Sequence, residues 1–524
     1  MSDANREYVA ALAERDEELG RQLAARFGRA TAPRRSVPYR IVRRLVFELK
    51  KLAGPLAKRV LRGSERRWNR SFGDRKRIAN GSHHLIAGYR LEVHALRDDG
   101  VLDTLAATQA EYWVLTRHAG QLLADAMPHL TQALSAPGEI QLWFGDSRSP
   151  AGVRERRSEF NRLLLRQVDV LGPAVLCSVA ALRELAERGV IPELWPLALG
   201  LTLPSARIQL IREVLAIGSV AEVVANEHAE QAAELVRAEL RSSGYEALVQ
   251  VSAIGRRDVS YALNAQPTVS IVIPTRGSAH EGRVLVIDAV RSLIEKSSYP
   301  HIELVIVADE PTPQAVVDEI DTLAAGRVRW VRWSEPFHFS AKMNLGAAAA
   351  SGEVLLFLND DVEVVSTDWI EQMLSLIGID GIGYVGALLF FADSTIQHAG
   401  HFYAGGAGHI GIEAAFELRN PNQLFQNDRV VSGVTAACSL ITRHRFDEAG
   451  GFSLGFPGNY NDVDLGLKLG ELGSTLAVAG RARLYHFESK TRDARVLRSE
   501  LLALHQRWYA RIQADPYWRH SEGL

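Results

Sequence analysis

From Thr268 onward, short apolar runs alternate with stretches of helical length, and the runs end in polar groups. VSIVIP (269–274) is a continuous apolar run stopped by Pro274. ELVIVA (303–308), VRWVRW (328–333) and EVLLFL (353–358) follow, with helices predicted over 284–296, 313–325 and 340–350 between the four runs. The continuous run 269–274 reads as a buried parallel strand, and strand–helix alternation implies a parallel sheet with right-handed crossovers. Ligands of such sheets sit beyond the carboxyl ends of the strands. Thr275-Arg276-Gly277, Asp309-Glu310 and Asn359-Asp360-Asp361 stand there, so one rim collects polar and acidic groups.

Adjacent carboxylates directly after a buried strand are costly unless solvated, paired or bound to a cation. Oxygen ligands suit Mg²⁺ or Mn²⁺, ions that commonly bridge to phosphate. A plain loop capping the next helix is the competing reading, and Ser366 or Thr367 can serve as that cap. Further on, Asn461-Asp462-Val463-Asp464 precedes LGLKLGEL. At a helix start, Asp462 and Asp464 are expected to face one cleft, or else to cap the helix and complement its dipole. Tyr485-His486-Phe487-Glu488-Ser489 follows a small apolar segment, 476–479, which places His486 after a strand as a core residue or a third ligand beside the carboxylates. GHFYAGGAGHIG (400–411) is glycine-rich and reads as a mobile acceptor loop; it lacks the spacing and Lys of a phosphate-binding loop. His398, His401 and His409 there have no Cys partner and read as loop or acceptor-site residues. Cys438 reads as a packed small residue.

In this order, VSIVIPTRG, ELVIVADE, FSAKMNLGAAAASGEVLLFLNDDVEV, GGF…YNDVDLGLKL and LYHFES resemble the family 2 glycosyltransferases. The resemblance covers about 267–495, and the similar enzymes build O-antigen and other bacterial surface polysaccharides. It implies an α/β catalytic domain of the GT-A fold, Rossmann-like with a mainly parallel sheet. The implied reaction is inverting transfer from a nucleotide-diphosphate sugar (UDP-, dTDP- or GDP-linked) to a glycan or lipid-linked glycan hydroxyl. By the resemblance, Pro274, Thr275 and Arg276 line the nucleotide pocket and Asp309 contacts the base. Ala308 stands where many members have another Asp. Lys342 and Asn344 approach the diphosphate and ribose, and Asn359 and Asp360 belong to the metal motif at the nucleotide sugar. Asp361 is the implied ligand of Mg²⁺ or Mn²⁺, joined by His486. Asp462 matches the general base, with Asp464 beside it as a catalytic candidate, and Asn461 replaces the family's Glu. The rival readings are a nucleotidyltransferase, for which Pro274-Thr275-Arg276-Gly277 is a poor triphosphate loop, and a non-catalytic glycan-binding scaffold.

The upstream half carries a worn copy of the same pattern. The segments 110–127, 142–147, 172–189 and 194–201 align in order with 352–369, 389–394, 433–450 and 460–467, which sets Cys177 on Cys438. Arg117-His118-Ala119 then faces the Asn-Asp-Asp motif, and Pro196 and Ala198 face Asp462 and Asp464. VSIVIP finds no upstream partner. The expectation is a degenerate GT-A-like α/β domain that scaffolds or binds acceptor.

Length agrees: 524 residues predict two or three domains. The expected segments are a basic helical N-terminus (1–80), the degenerate domain (81–215), a helix-strand linker (216–266), the catalytic domain (267–495) and a closing helix (496–524), on which Trp508 and Tyr509 pack. The net charge of −2 conceals a split. Residues 21–80 hold 19 Lys/Arg against 3 Asp/Glu, a net of +16, while the residues after 80 carry a net of −14. Ile41, Leu45, Leu49, Leu52, Leu56 and Val60 recur at helical spacing within 34–77. Such a basic amphipathic helix fits an anionic membrane surface, or a surface helix packed on the body. No nucleic-acid motif accompanies it, so nucleic acid is not expected as a partner. Two cysteines, an acidic start and no long apolar run lead to the expectation of a cytoplasmic chain, peripheral on the inner face of the plasma membrane.

Overall fold

The computed structural model describes residues 3–28, 77–96, 100–117, 121–150, 152–218, 228–252, 255–280, 282–310, 312–416, 424–487 and 496–519. The expected basic membrane-facing helix of 34–77 lies outside the described residues, Arg77 excepted, as do His118, Ala119, Glu488 and Ser489. The chain forms two compact units, one from described residues within 1–32, 240–249 and 259–518, the other within 33–239, 250–258 and 519–524. Each is mixed α/β on its own sheet. Among the described residues, no helix is long and apolar enough to cross a membrane.

The C-terminal unit begins with four parallel strands, in the order Val328–Trp333, Ile302–Asp309, Val269–Thr275 and Val354–Leu358. Every residue of the last two is buried, as the unbroken apolar runs require. Cys438–Thr442 then enters antiparallel, between Val354–Leu358 and Ile382–Phe390. Thr475–His486 runs parallel to Ile382–Phe390, and Val362–Val364 closes the edge antiparallel. The predicted helices stand at Leu285–Lys296, Gln314–Ala324 and Phe339–Ala349. The last presses on the sheet through Gly346, where an added Cβ would fall 2.3 Å from Val272 Cγ1.

The first helix, Asp3–Phe27, is acidic and belongs to this same unit, not to a separate basic segment. Its Asp16 is buried and accepts from Lys468 Nζ (2.8 Å) and Arg507 Nη1 (3.1 Å). Arg507 Nη1 also bonds both oxygens of Asp464 (2.9 and 3.1 Å), and Trp508 Nε1 donates to Asp464 Oδ1 (2.8 Å). Four charges thus bind Asp3–Phe27, Asn461–Glu471 and the closing helix Arg498–Trp508 into one buried network. This corrects the expectation that Asp464 shares a cleft with Asp462. Two positions along a helix are about 200° apart, so Asp464 faces inward with no exposed surface.

The N-terminal unit orders its strands His83–Ile86, Tyr89–Ala95, Tyr112–Thr116, Ala174–Ser178, Leu142–Arg148, Ile208–Ile217 and Gln121–Leu122. From Tyr89–Ala95 onward, this repeats the C-terminal order from Val269–Thr275 onward, with the same direction at every junction. The registers coincide too. Tyr112 pairs Leu91 as Val354 pairs Val269. Leu142 pairs Cys177 as Tyr384 pairs Ile441, and Gln121 pairs Ile217 as Glu363 pairs Tyr485. One register shift also falls at the same place, after Gly145 in one sheet and after Ala387 in the other. Three details of the sequence alignment change. Tyr89–Ala95 is the partner that VSIVIP lacked, Cys177 sits in the register position of Ile441, three residues beyond Cys438, and Leu142 sits in that of Tyr384, five residues before Leu389.

Asp464→Ala leaves Arg507 and Lys468 buried without their counter-charge. It should lower the unfolding free energy by about 3–5 kcal/mol, the usual cost of breaking a buried pair from one side. Urea denaturation measures it, and a loss under about 1 kcal/mol would show that the network does not hold the helices.

Candidate functional site

Three strand ends meet at one rim. Val269–Thr275 delivers Pro274 and Thr275, both buried, and then Arg276, which is exposed. Ile302–Asp309 ends on Asp309 itself. From the helix Phe339–Ala349, the fully buried Lys342 reaches both strands: its Nζ donates to Asp309 Oδ1 (2.7 Å) and to the Thr275 carbonyl (3.2 Å). Arg276 Nε stands 3.4 Å from Asp309 Oδ2. Burial pushes the Lys342 ammonium below its usual range, and the Asp309 carboxylate opposes that shift. Thr275 Oγ1 donates to Asp360 Oδ2 (2.6 Å), which links the first rim segment to the Asn-Asp-Asp turn. Burial, and then the neighbouring Asp361 charge, pushes the Asp360 carboxyl up to about 6. Asn344 is a correction: its side chain donates to the Phe452 carbonyl (2.8 Å) and accepts from the Phe452 amide (2.9 Å). It braces the helix against the Phe452 turn rather than facing the rim.

The second group lies at the other end of the same turn. His486, the last residue of Thr475–His486, brings Nε2 to 3.1 Å from Asp361 Oδ1 and 3.0 Å from Asn359 Nδ2. Asn359 therefore joins the histidine and not the Thr275 end. A carboxylate oxygen and an imidazole nitrogen converge at a strand end, with Asp360 adjacent. That donor set fits Mn²⁺ or Mg²⁺ better than a closed thiolate site. Sequence reasoning missed Gln397, in the buried strand Ile396–His398, which bonds His486 twice. Its partner lies 89 positions away, and no local pattern marks it.

Asp462 opens the helix Asn461–Glu471, which Tyr460 enters in the left-handed conformation at φ 61°. Asp462 Oδ2 accepts from the Ala436 amide (3.2 Å), and Oδ1 from the Val463 amide (2.8 Å). The next carbonyl, of Ala437, accepts from the Asn359 amide (3.0 Å), so one turn connects Asp462 to the acidic motif. Of the two acids proposed from the sequence, only Asp462 keeps partial exposure.

The segment 400–411 forms a short hairpin, His401–Tyr403 against Ala407–His409. His398, His401 and His409 converge with their candidate ligand atoms within 4.8 Å of one another. The Thr435 amide donates to His398 Nε2 (3.1 Å), which leaves the proton of the neutral ring on Nδ1, 3.0 Å from His409 Nδ1. Burial, followed by the other two imidazoles, holds His398 well below the usual histidine range. His398 thus offers its neighbours a proton and not a lone pair, which disfavours a metal there. Cys438 is buried, and burial raises its thiol. Trp508 packs as expected, bonded to Asp464.

Asp360 sets a pH dependence opposite to that of a salt-bridged carboxylate. Its folded pKa lies above the ordinary value near 4, so ionisation opposes folding. The penalty is absent below about pH 4 and complete above about pH 6, where it reaches roughly 2–3 kcal/mol. In chelator, Asp360→Asn should raise the melting temperature at pH 7.5 and leave it nearly unchanged at pH 4. An equal shift at both values would contradict this account of the site.

The family model for Glycosyl transferase family 2 matches residues 270–447, which contain the first three rim segments; Asp462 and His486 lie beyond the match. The O-antigen biosynthesis protein RfbC of Myxococcus xanthus is 34% identical over 239 residues, 45% of this chain and 18% of that protein. The uncharacterized protein y4gI of Sinorhizobium fredii is 33% identical over 282 residues, 50% of this chain and 30% of that protein. The chain therefore spans less than a third of either relative. Among solved structures, GalNAc-T7 with UDP, GalNAc and Mn²⁺ aligns at TM-score 0.36 and 18% identity, over 43% of this chain and 45% of that one. Mannosyltransferase PcManGT from Pyrobaculum calidifontis, in complex with GDP-Man and Mn²⁺, aligns at 0.34 and 15%, over 47% and 70%. Residues 270–447, with the parallel strands and acidic rim they build, are a glycosyl transferase family 2 domain.

Proposed function

We propose that the chain moves a sugar, with inversion, from a nucleoside-diphosphate sugar to a hydroxyl of a glycan or lipid-linked glycan during surface-polysaccharide synthesis. The observation that carries this reading is the pairing of Asp361 with His486 at one end of the turn whose other end, Asp360, is tied to Thr275. Thr275, Arg276 and Asp309 would receive the nucleotide, with Lys342 holding the Asp309 carboxylate in place. Asp361 and His486 would hold Mg²⁺ or Mn²⁺. Bound there, the cation would neutralise charge on the departing diphosphate. Asp462, fixed by two backbone amides, would take the proton from the acceptor hydroxyl as it attacks the opposite face of the sugar. One base then suffices, and no covalent nucleophile enters.

The N-terminal unit is, in this reading, a degenerate second copy of the same fold. Its matching strand order and registers support that, and so does Arg117. By strand register Arg117 takes the place of Asn359, and its guanidinium is bound to buried Asp169 and to the Gly172 carbonyl. A guanidinium at the head of the motif opposes cation binding, so this unit would scaffold or contact acceptor. Synthesis of O-antigen or a related surface polymer is the class suggested by the Myxococcus relative. A place on the inner face of the plasma membrane would rest on the basic segment 34–77.

The test is release of nucleoside diphosphate from UDP-, dTDP- and GDP-sugars in the presence of Mn²⁺ and candidate glycans. Chelator should abolish release. Asp462→Asn should lower the rate by about 10²–10⁴-fold, the range for loss of a general base, with the melting temperature within a few degrees of the parent. Turnover that persists in chelator would remove the cation from the mechanism. Turnover unchanged in Asp462→Asn would remove the base.

A further inference from the structure

Gln397 is buried, at 3% exposure, on the strand Ile396–His398. It meets His486 at two points: Gln397 Nε2 donates to the His486 carbonyl (3.0 Å), and His486 Nδ1 stands 2.6 Å from Gln397 Oε1. The first bond decides the second. The amide nitrogen must face the carbonyl, so the amide oxygen faces the ring, and an oxygen there can only accept. His486 Nδ1 therefore carries the proton of the neutral ring. Nε2 is left with its lone pair, directed at Asn359 Nδ2 (3.0 Å) and Asp361 Oδ1 (3.1 Å).

We infer that Gln397 is the residue that makes His486 a metal ligand: it fixes the Nδ1–H tautomer and turns the Nε2 lone pair toward Asp361. The inference rests on the proposed role of His486 at the cation. It adds a positioning residue, one that acts through its two bonds to His486. Two rules of coordination chemistry are at work. A ligating imidazole must be unprotonated at the ligating nitrogen, and an acceptor on its other nitrogen both enforces this and raises its basicity. Without Gln397, the ring is free to carry its proton on Nε2. That tautomer can donate to Asp361, which would then be paired with the histidine and withdrawn from the ion. One side chain holds both the backbone and the ring of a single residue: the bond to the carbonyl orients the Gln397 amide, and the ring cannot turn without breaking its bond to Oε1.

A ligand-orienting role and a packing role predict opposite orders for two substitutions. Gln397→Leu keeps the volume and loses the acceptor, whereas Gln397→Glu keeps the acceptor and introduces a buried charge. The measurement is Mn²⁺ affinity, by paramagnetic titration of the full chain with Mn²⁺ alone, with melting temperature as the control for folding. We expect Gln397→Leu to weaken Mn²⁺ about 10–100-fold, the usual range for loss of such a partner, and Gln397→Glu to stay within about threefold. A Leu variant within twofold of the parent, or a Glu variant weakened as much as Leu, overturns the inference. His486→Ala separates this from the underlying reading. If it leaves Mn²⁺ affinity unchanged, His486 is not a ligand; if it weakens binding and Gln397→Leu does not, only the tautomer lock fails. Should the Leu variant not fold, the ¹⁵N shifts of His486 in the metal-free parent decide: a protonated Nδ1 is expected, and a protonated Nε2 overturns the assignment.

Discussion

Carboxylates crowded at the carboxyl end of a buried sheet are the constraint on which the site depends. Asp309, Asp360 and Asp361 end two strands that flank Val269–Thr275 in the sheet. Like charges so close, and partly out of water, cannot all ionise without compensation. The protein supplies part of it: Lys342 beneath Asp309 and Thr275 on Asp360. What remains is an excess of acceptor character, expressed in the raised Asp360 carboxyl, that a divalent cation would complete.

The same accounting distinguishes the two units. At the register position of Asn359 the N-terminal unit has Arg117, and its charge is already matched by Asp169. An internal ion pair satisfies locally what the C-terminal rim leaves open. In the strand corresponding to Val269–Thr275, Glu92 is likewise consumed, accepting from Thr108 Oγ1 and Trp113 Nε1 with His94 alongside. Two units with one strand plan therefore differ in whether their polar groups are satisfied from within.

How much was legible in the sequence follows from these differences. The C-terminal strands Val269–Thr275 and Val354–Leu358 announce themselves because burial on both faces demands nearly unbroken apolar runs, and the edge strand 328–333, only partly buried, still matches its expected bounds residue for residue. Tyr89–Ala95 stayed hidden because Glu92 and His94 interrupt its apolar pattern, and only the tertiary bonds to Thr108 and Trp113 make them tolerable inside. Asp462 and Asp464 look equivalent as a motif, yet helical geometry sends one to the cleft side and the other to Arg507. Asn344 falls in a segment that the family resemblance assigns to the nucleotide, but its amide pairs with Phe452, 108 positions away. Gln397 could not be found at all, since its importance lies in which atom of a distant ring it leaves unprotonated.

In the proposed function, only one of the two similar sheets holds a cation and a nucleotide. Calorimetric titration of the full chain with UDP in saturating Mn²⁺, and with dTDP and GDP in turn, tests it most directly. One metal-dependent nucleotide per chain, lost in Asp361→Asn, is the predicted result. Two equivalents per chain, or binding that survives Asp361→Asn and chelator, would contradict it.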